Sequence, residues 1–126
     1  MFDALKGMAG LGGIMKDLPR IKARMEEVKA ELAETTVEAM VGGGAVVAIA
    51  DGRLRIREVR IDPSMLGAIA DSGTEEDRKL AEDLVTGAVN SALEKAQEMI
   101  TARIGEVASE MNLPIPPGGL AGLLGA

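Results

Sequence analysis

The sequence predicts an α+β protein whose subunit is a helix, a three-stranded antiparallel sheet and a long second helix. Apolar residues recur every three or four positions from residue 14 to residue 32, as in a helix. Two turn signals, at residues 42–44 and 51–52, separate β-branched runs in the middle of the chain. A second helical pattern begins after Thr74 and continues to about residue 111.

The composition fits one domain and excludes several kinds of chemistry. The chain has 126 residues, no Cys, His, Trp or Tyr, and one aromatic side chain, Phe2. These absences exclude thiolate nucleophiles, cysteine metal sites and the commonest general base. They also remove the aromatic platforms on which unpaired bases stack. We therefore expect no catalysis by thiol or histidine groups and no cysteine metal site.

Both ends of the chain have the composition of tails. Residues 1–13 contain four Gly and residues 114–126 are rich in Pro, Gly and Leu, so we expect flexible tails around a single α-β-β-β-α dimerising domain at 14–113. The N-terminus lacks the pattern of a secretory signal. No uncharged run reaches the roughly 20 apolar residues that a spanning helix needs. We expect a cytoplasmic protein that makes no membrane contact.

The first helix carries a narrow apolar seam. Its spacing is a strict seven-residue repeat, which is typical of coiled coils and favours pairing with a partner helix. Pro19 is best tolerated in a first turn, so we expect the regular helix to run from about Asp17 to about Glu34. The seam residues, which we predict to be dimer contacts, are Ile14, Leu18, Ile21, Met25, Val28 and Leu32.

The middle of the chain predicts three strands, over residues 35–41, 45–50 and 53–61. In the third strand, Arg53, Arg55 and Arg57 project from one face, because alternate residues share a face. Val59 and Ile61 have the opposite phase to the apolar residues before them. A β-bulge near residues 57–58 would reconcile the two phases.

The second helix has a clear start. Thr74 precedes three acidic residues at 75–77, which form a capping-box-like first turn. A helix start explains these acids better than a cation site does. The pattern is long for a globular helix and indicates a projecting arm or a dimer contact, so Leu84 and Ala88 are also predicted at the interface.

Several motifs together resemble the YbaB/EbfC family of bacterial nucleoid-associated proteins. They are V-x-I-D-P-S-x-L at 59–66, E-D-L-V at 82–85, M-x-L-P at 111–114 and G-I-M-K at 13–16. The resemblance covers nearly the whole chain. It implies a homodimer with helical arms that project like tweezers, a nucleoid location, and DNA binding without a strong sequence requirement. The family has no catalytic motif and no cofactor, so we expect a protein that is not an enzyme and has no catalytic residue, no metal, no cofactor and no small-molecule substrate. Lys16 matches a lysine common in the family, and Arg57 matches a basic position before the V-x-I-D-P block.

The net charge of −6 is unevenly distributed. Residues 1–24 and 53–60 each carry a net charge of +3, whereas residues 25–52 carry −5 and residues 61–126 carry −7. The two basic segments provide the predicted DNA contacts, which are Lys16, Arg20, Lys22, Arg24, Arg53, Arg55 and Arg57.

Ordinary ion pairs are an alternative explanation for these cations. Arg24 could pair with Glu27 or Glu31, and the strand arginines could pair with Glu38 across the sheet or protect an exposed edge. With the resemblance, phosphate contact is the favoured interpretation for the strand arginines. We therefore expect a homodimer that binds double-stranded DNA mainly through phosphates, with a role in nucleoid organisation or gene regulation. The alternative function is a protein-interaction scaffold that uses the arms and the apolar tail.

Overall fold

The computed structural model describes the backbone of residues 2–72 and 74–112 and the side chains of residues 16–67 and 74–112. The predicted order of a helix, three antiparallel strands and a long helix is confirmed. Within these residues, no helix combines the length and the hydropathy that crossing a bilayer requires. The elements are α1 (Phe2–Glu34), β1 (Thr36–Val41), a 3-10 turn (Gly42–Gly44), β2 (Val46–Asp51), β3 (Ile56–Ile61), α2 (Pro63–Ser72) and α3 (Glu75–Glu110).

The sheet is a meander in the order β1-β2-β3. The first connection is the Gly42–Gly44 turn, whose three φ angles are 62°, 68° and 97°, a region that side chains disfavour. The β2–β3 pairing shifts register by one residue, because Ala50 pairs with Ile56 whereas Ile49 pairs with Glu58. Arg57 is the extra residue, so the predicted β-bulge is confirmed.

The first half of α3 packs on the inner face of the sheet through alanines. Ala88, Ala92 and Ala96 follow each other at four-residue spacing, so they lie on one face of the helix, and all three are completely buried. They meet Ala39 and Ala48, which are paired neighbours on β1 and β2. Because the side chains on both surfaces end at Cβ, the helix approaches the sheet closely.

The second half of α3 packs on the second half of α1. Val28 and Leu32 of α1 form a buried cluster with Ile100 and Val107 of α3. The two helices are antiparallel. Val28 and Leu32 belong to the seam that was predicted to pair with a partner helix. Here that helix is α3 of the same chain.

Ion pairs hold the same two helices together along their edges. Arg103 Nε donates to Glu31 at 2.9 Å, and Arg24 Nε donates to Glu110 at 3.1 Å. The hydrogen bond to Arg103 lowers the pKa of Glu31, although burial acts in the opposite direction. The pairs link residues from both ends of the contact and so fix its antiparallel alignment.

The prediction that the first regular helix begins near Asp17 is wrong, because α1 begins at Phe2. Pro19 lies inside the helix, and the backbone of residues 2–13 is helical although those residues were predicted to be a tail. An interior proline costs about 3 kcal/mol and each Gly about 1 kcal/mol relative to Ala, yet α1 continues through Pro19 and through the glycines before it. The tail predicted at 114–126 lies outside the described residues.

The helix α2 was not predicted. Asp62 precedes it, and its Oδ1 accepts hydrogen bonds from the Ser64 backbone N–H at 2.9 Å and from Ser64 Oγ at 2.6 Å. These bonds lower the pKa of Asp62, that of the Ser64 hydroxyl contributing most. Pro63 stands at the first helical position, where its fixed φ fits and its missing N–H is not needed. An Asp followed by Pro is therefore the sequence signal that marks this start.

Enlarging Ala92 tests the close approach of α3 to the sheet. We expect Ala92→Leu to destabilise the fold by about 1–3 kcal/mol or more, because a fully buried site must absorb three extra carbons. The free energy of unfolding from urea titration measures the effect. Ala102→Leu on the exposed side of the same helix is the control and should leave stability nearly unchanged. Equal urea midpoints for both variants would contradict this packing.

Candidate nucleic-acid interface

A buried carboxylate organises the turn between β2 and β3. The side chain of Asp51 is only 4% exposed. Its Oδ1 accepts the backbone N–H groups of Arg53 at 2.8 Å and Arg55 at 3.3 Å, and its Oδ2 accepts Nε of Arg57 at 2.8 Å. Burial alone would raise the pKa of Asp51, but the two N–H groups and the guanidinium outweigh it and lower the pKa. The carboxylate is therefore ionised at neutral pH.

The same turn is fixed to the C-terminal end of α1. The Gly52 N–H donates to the carbonyl of Leu32 at 2.9 Å, and Nη2 of Arg57 donates to the carbonyl of Ala33 at 2.8 Å. A Cβ on Gly52 would lie 2.5 Å from Cβ of Leu32, so only glycine fits here. A cation at the negative end of a helix dipole is also favourable. The turn cannot shift without breaking contacts to the helix.

The structure corrects the prediction that three arginines share one strand face. The strand β3 begins at Ile56, so Arg53 and Arg55 belong to the turn and only Arg57 is in the strand. The reason is that Asp51 takes the N–H groups of Arg53 and Arg55. Among the described residues, the exposed side chains of Arg53 and Arg55 have no ion-pair partner, whereas Arg57 is bonded to Asp51.

Glu38 does not pair with any of these three arginines in the described part of the chain. The charge of Glu38 acts on Arg60, whose Nε bonds to Glu58 at 3.0 Å. That hydrogen bond is the main reason that the pKa of Arg60 is raised, and the charge of Glu38 adds to it. The expected cross-strand pairing is therefore replaced by a pair within β3.

The first basic segment divides into paired and exposed cations. Arg24 is bonded to Glu27 at 2.9 Å and to Glu110 at 3.1 Å, so the ion-pair alternative is confirmed for this residue. The exposed Arg20 lies 3.9 Å from Asp17. Lys16 and Lys22 are exposed, and no described side chain forms an ion pair with either. Lys22 also lies on a different side of α1 from the other three cations, which are spaced four residues apart.

The two basic segments lie at separate places on the subunit. Leu32 contacts the turn that carries Arg53, and Lys16 precedes Leu32 by sixteen residues of continuous helix. At 1.5 Å of rise per residue this separation is about 24 Å along the α1 axis. The acidic residues Glu27 and Glu31 lie between them. One subunit therefore presents two spaced groups of cations and not one patch.

Most of the residues predicted at the dimer interface are covered by the chain itself. Val28, Leu32 and Ala88 are buried, and Met25 and Leu84 are half-buried against the two clusters. Toward the N-terminal end of the seam, Ile21 is half-buried and Leu18 is 48% exposed. The side chain of Ile14 lies outside the described residues.

An apolar surface that the sequence analysis missed lies on the outer face of the sheet. Met40 is 63% exposed, and the register places it beside Val47 of β2. Ile49 continues the stripe along β2, next to Glu38 and Glu58 on the flanking strands. The sequence did contain a signal for this surface. Side chains alternate between the two faces along each strand, so the residues between the buried ones must form the outer face.

The start of α3 is as predicted. The Thr74 hydroxyl accepts the Asp77 N–H at 3.1 Å and so caps the helix. The acids at 75–77 occupy its first turn, where the helix dipole favours negative charge. Within the described residues, no group of three or more acidic side chains is arranged to hold a metal ion.

Replacing Asp51 tests the centre of this site through pH. We expect Asp51→Asn to lower the melting temperature at pH 7, because Arg57 loses its anionic partner. A lowered folded pKa stabilises the fold above the unfolded value of about 3.9, and this contribution is lost as pH falls through the folded pKa. Thermal melts from pH 7 to pH 3 should therefore show a gap between wild type and variant that is constant above about pH 5 and shrinks below about pH 4. Glu98→Gln, which removes an exposed carboxylate, is the charge control. A gap that widens in acid would contradict this role.

Comparisons with known proteins agree on one family. The family model for the YbaB/EbfC DNA-binding family matches residues 8–111. A protein named nucleoid-associated protein from Acetivibrio thermocellus is 38% identical over 123 residues, which cover 94% of this chain and 95% of that protein. A protein of the same name from Moorella thermoacetica is 34% identical over 108 residues, covering 86% and 97% of the two chains.

A solved structure shares the fold. The crystal structure of an uncharacterized protein from Helicobacter pylori superposes with a TM-score of 0.53 at 20% sequence identity, covering 75% of this chain and 96% of that one. The extent of the family match and the identity to the two relatives show the family. The chain belongs to the YbaB/EbfC DNA-binding family.

Proposed function

We propose that this protein is a homodimeric nucleoid-associated factor that binds double-stranded DNA mainly through phosphate contacts. The observation that carries the proposal is the exposed pair of Arg53 and Arg55 on a turn that the buried Asp51 holds rigid. Membership of a DNA-binding family and the names of the relatives support DNA as the ligand. Its role is in nucleoid organisation or gene regulation.

The predicted contact residues divide into two groups by their bonding. Arg24 and Arg57 are bonded within the subunit, and a phosphate could recruit them only by weakening those bonds. The exposed cations can bind phosphates at lower cost, because the one ion pair that they form within the described residues is the long, exposed contact of 3.9 Å between Arg20 and Asp17. These exposed cations are Lys16, Arg20, Lys22, Arg53 and Arg55.

Phosphate contacts position a protein on DNA without reading its sequence. The phosphate contacts by themselves therefore favour no particular sequence. The acidic first half of α3, where Glu75, Glu76 and Asp77 are exposed, repels the phosphate backbone and confines DNA to the basic surfaces.

We infer that the homodimer forms through the outer face of the sheet. Met40, Val47 and Ile49 form an apolar stripe, and burying it against a second copy removes it from water. Charges of both signs flank the stripe, with Glu38 at one edge and Arg60 at the other. In a two-fold interface each patch meets its own copy, so such a pattern can be self-complementary. A dimer also doubles the number of cations facing one DNA molecule.

The salt dependence of binding tests the phosphate contacts. We expect wild type to shift duplex DNA in gels at low salt. Arg53→Ala with Arg55→Ala should reduce the slope of log affinity against log salt by roughly 0.9 for each phosphate that the variant no longer neutralises. The variant Arg78→Ala with Lys79→Ala is the control. It removes the same two positive charges, but from the acidic part of α3, so it should keep the wild-type slope of log affinity against log salt. An unchanged slope in the first variant would contradict these contacts, and an absence of wild-type binding at low salt would refute DNA binding.

Light scattering tests the dimer and its surface. Wild type should have twice the chain mass of 13.1 kDa at micromolar concentration, and Met40→Glu should have the single mass because it places a charge in the apolar stripe. Leu18→Glu introduces the same charge at an exposed seam position and should remain dimeric. If Leu18→Glu alone gives the single mass, the seam and not the sheet is the interface.

A further inference from the structure

The tip of the β2–β3 turn has a backbone conformation that its residue disfavours. The Leu54 N–H donates to the Asp51 carbonyl at 3.1 Å, which closes a four-residue turn, and Leu54 has a φ of 59°. Short hairpins with a left-handed last loop residue usually have glycine there. A leucine in this conformation is strained and persists only where the surroundings impose it.

The surroundings do impose it in this turn. The Asp51 carboxylate holds the N–H groups on both sides of Leu54, those of Arg53 and Arg55. The Asp51 N–H also donates to the Arg55 carbonyl at 3.0 Å. The tip is therefore a rigid loop in which an apolar side chain stands between two arginines.

Packing within the subunit accounts for only part of this leucine. Its side chain borders the groove between α1 and α3, yet Leu54 is 44% exposed. A large part of an apolar side chain therefore remains in water at a strained position, where glycine would remove the strain. Strain of this kind is characteristic of functional positions.

We propose that Leu54 is a wedge that inserts between base pairs of the minor groove and kinks the DNA, while Arg53 and Arg55 bind the flanking phosphates. This inference rests on the proposed function. The charge of the two arginines favours DNA over an apolar protein surface as the occupant. Apolar wedges in the minor groove unstack a base step and bend the duplex by about 20–90°. Such a wedge favours deformable steps, of which TA is one, and so gives a preference without base-specific hydrogen bonds.

The test compares bending, unstacking and salt dependence in the full-length protein. A short duplex carries a dye pair at its ends to report bending and 2-aminopurine at a central TA step to report unstacking. Wild type should raise both energy transfer and 2-aminopurine fluorescence. Leu54→Gly and Leu54→Asn should abolish both changes and weaken binding by about tenfold, since neither side chain can replace the apolar surface that the leucine buries against the bases.

The controls separate a wedge from a general loss of fold or charge. Both variants should keep the wild-type salt slope, because no phosphate contact is removed. They should also melt at or above the wild-type temperature, because glycine and asparagine tolerate a positive φ. Leu54→Met retains an apolar tip and should bend DNA like wild type.

Three results would overturn the inference. If wild type binds without bending, or if Leu54→Gly and Leu54→Asn bend DNA like wild type, the wedge is refuted while phosphate binding stands. If Leu54→Gly changes only the mass in light scattering, Leu54 is a protein contact. If wild type fails to bind the duplex at low salt, the proposed function fails first and the wedge with it.

Discussion

The buried carboxylate of Asp51 is the interaction on which the rest of the basic surface depends. A nearly unexposed charge is costly unless donors and a cation satisfy it. Here the donors come from Arg53, Arg55 and Arg57, so a single group specifies the turn, the start of β3 and the orientation of the bulged arginine. Because Arg57 also bonds to the carbonyl of Ala33, the end of α1 is fixed by the same network. Loop conformations in which these donors diverge would leave the carboxylate unpaired, so the turn has one well-defined conformation.

The helix α3 connects this arrangement to the core by making two different contacts along its length. Around Ala92 its surface is flat, and the sheet lies close. Around Ile100 and Val107 its surface carries larger side chains, which interlock with α1. Because its residues change from small to large along its length, the single helix α3 packs both on the sheet and on the antiparallel helix α1. The turn around Asp51 lies where the sheet and the end of α1 meet.

The sequence predicted the features that depend on local pattern. The glycine turn, the cap at Thr74, the bulge at Arg57 and the length of α3 each follow from a few neighbouring residues. It failed where a side-chain contact decides the outcome and residue spacing does not. The pattern of Arg53 and Arg55 is that of a strand, and only the side chain of Asp51, by taking their N–H groups, makes them a turn. Likewise the seam was predicted to contact a second copy, but Val28 and Leu32 pack on the chain's own α3. Spacing alone does not distinguish the two partners.

The acidic net charge has to be compared with the number of cations that are free to contact DNA. Three of its arginines join parts of the subunit, namely Arg24, Arg57 and Arg103. The exposed cations left for phosphates are few and lie on two separate surfaces. If four of them bind, the salt slope of one subunit is only about 3.6, and a second subunit raises it to about 7. Under the proposed function, the net charge of −6 therefore does not exclude DNA. In the proposed dimer, two such turns, each with its own Leu54, would contact the same duplex, and this would compensate for the small number of exposed cations on one subunit.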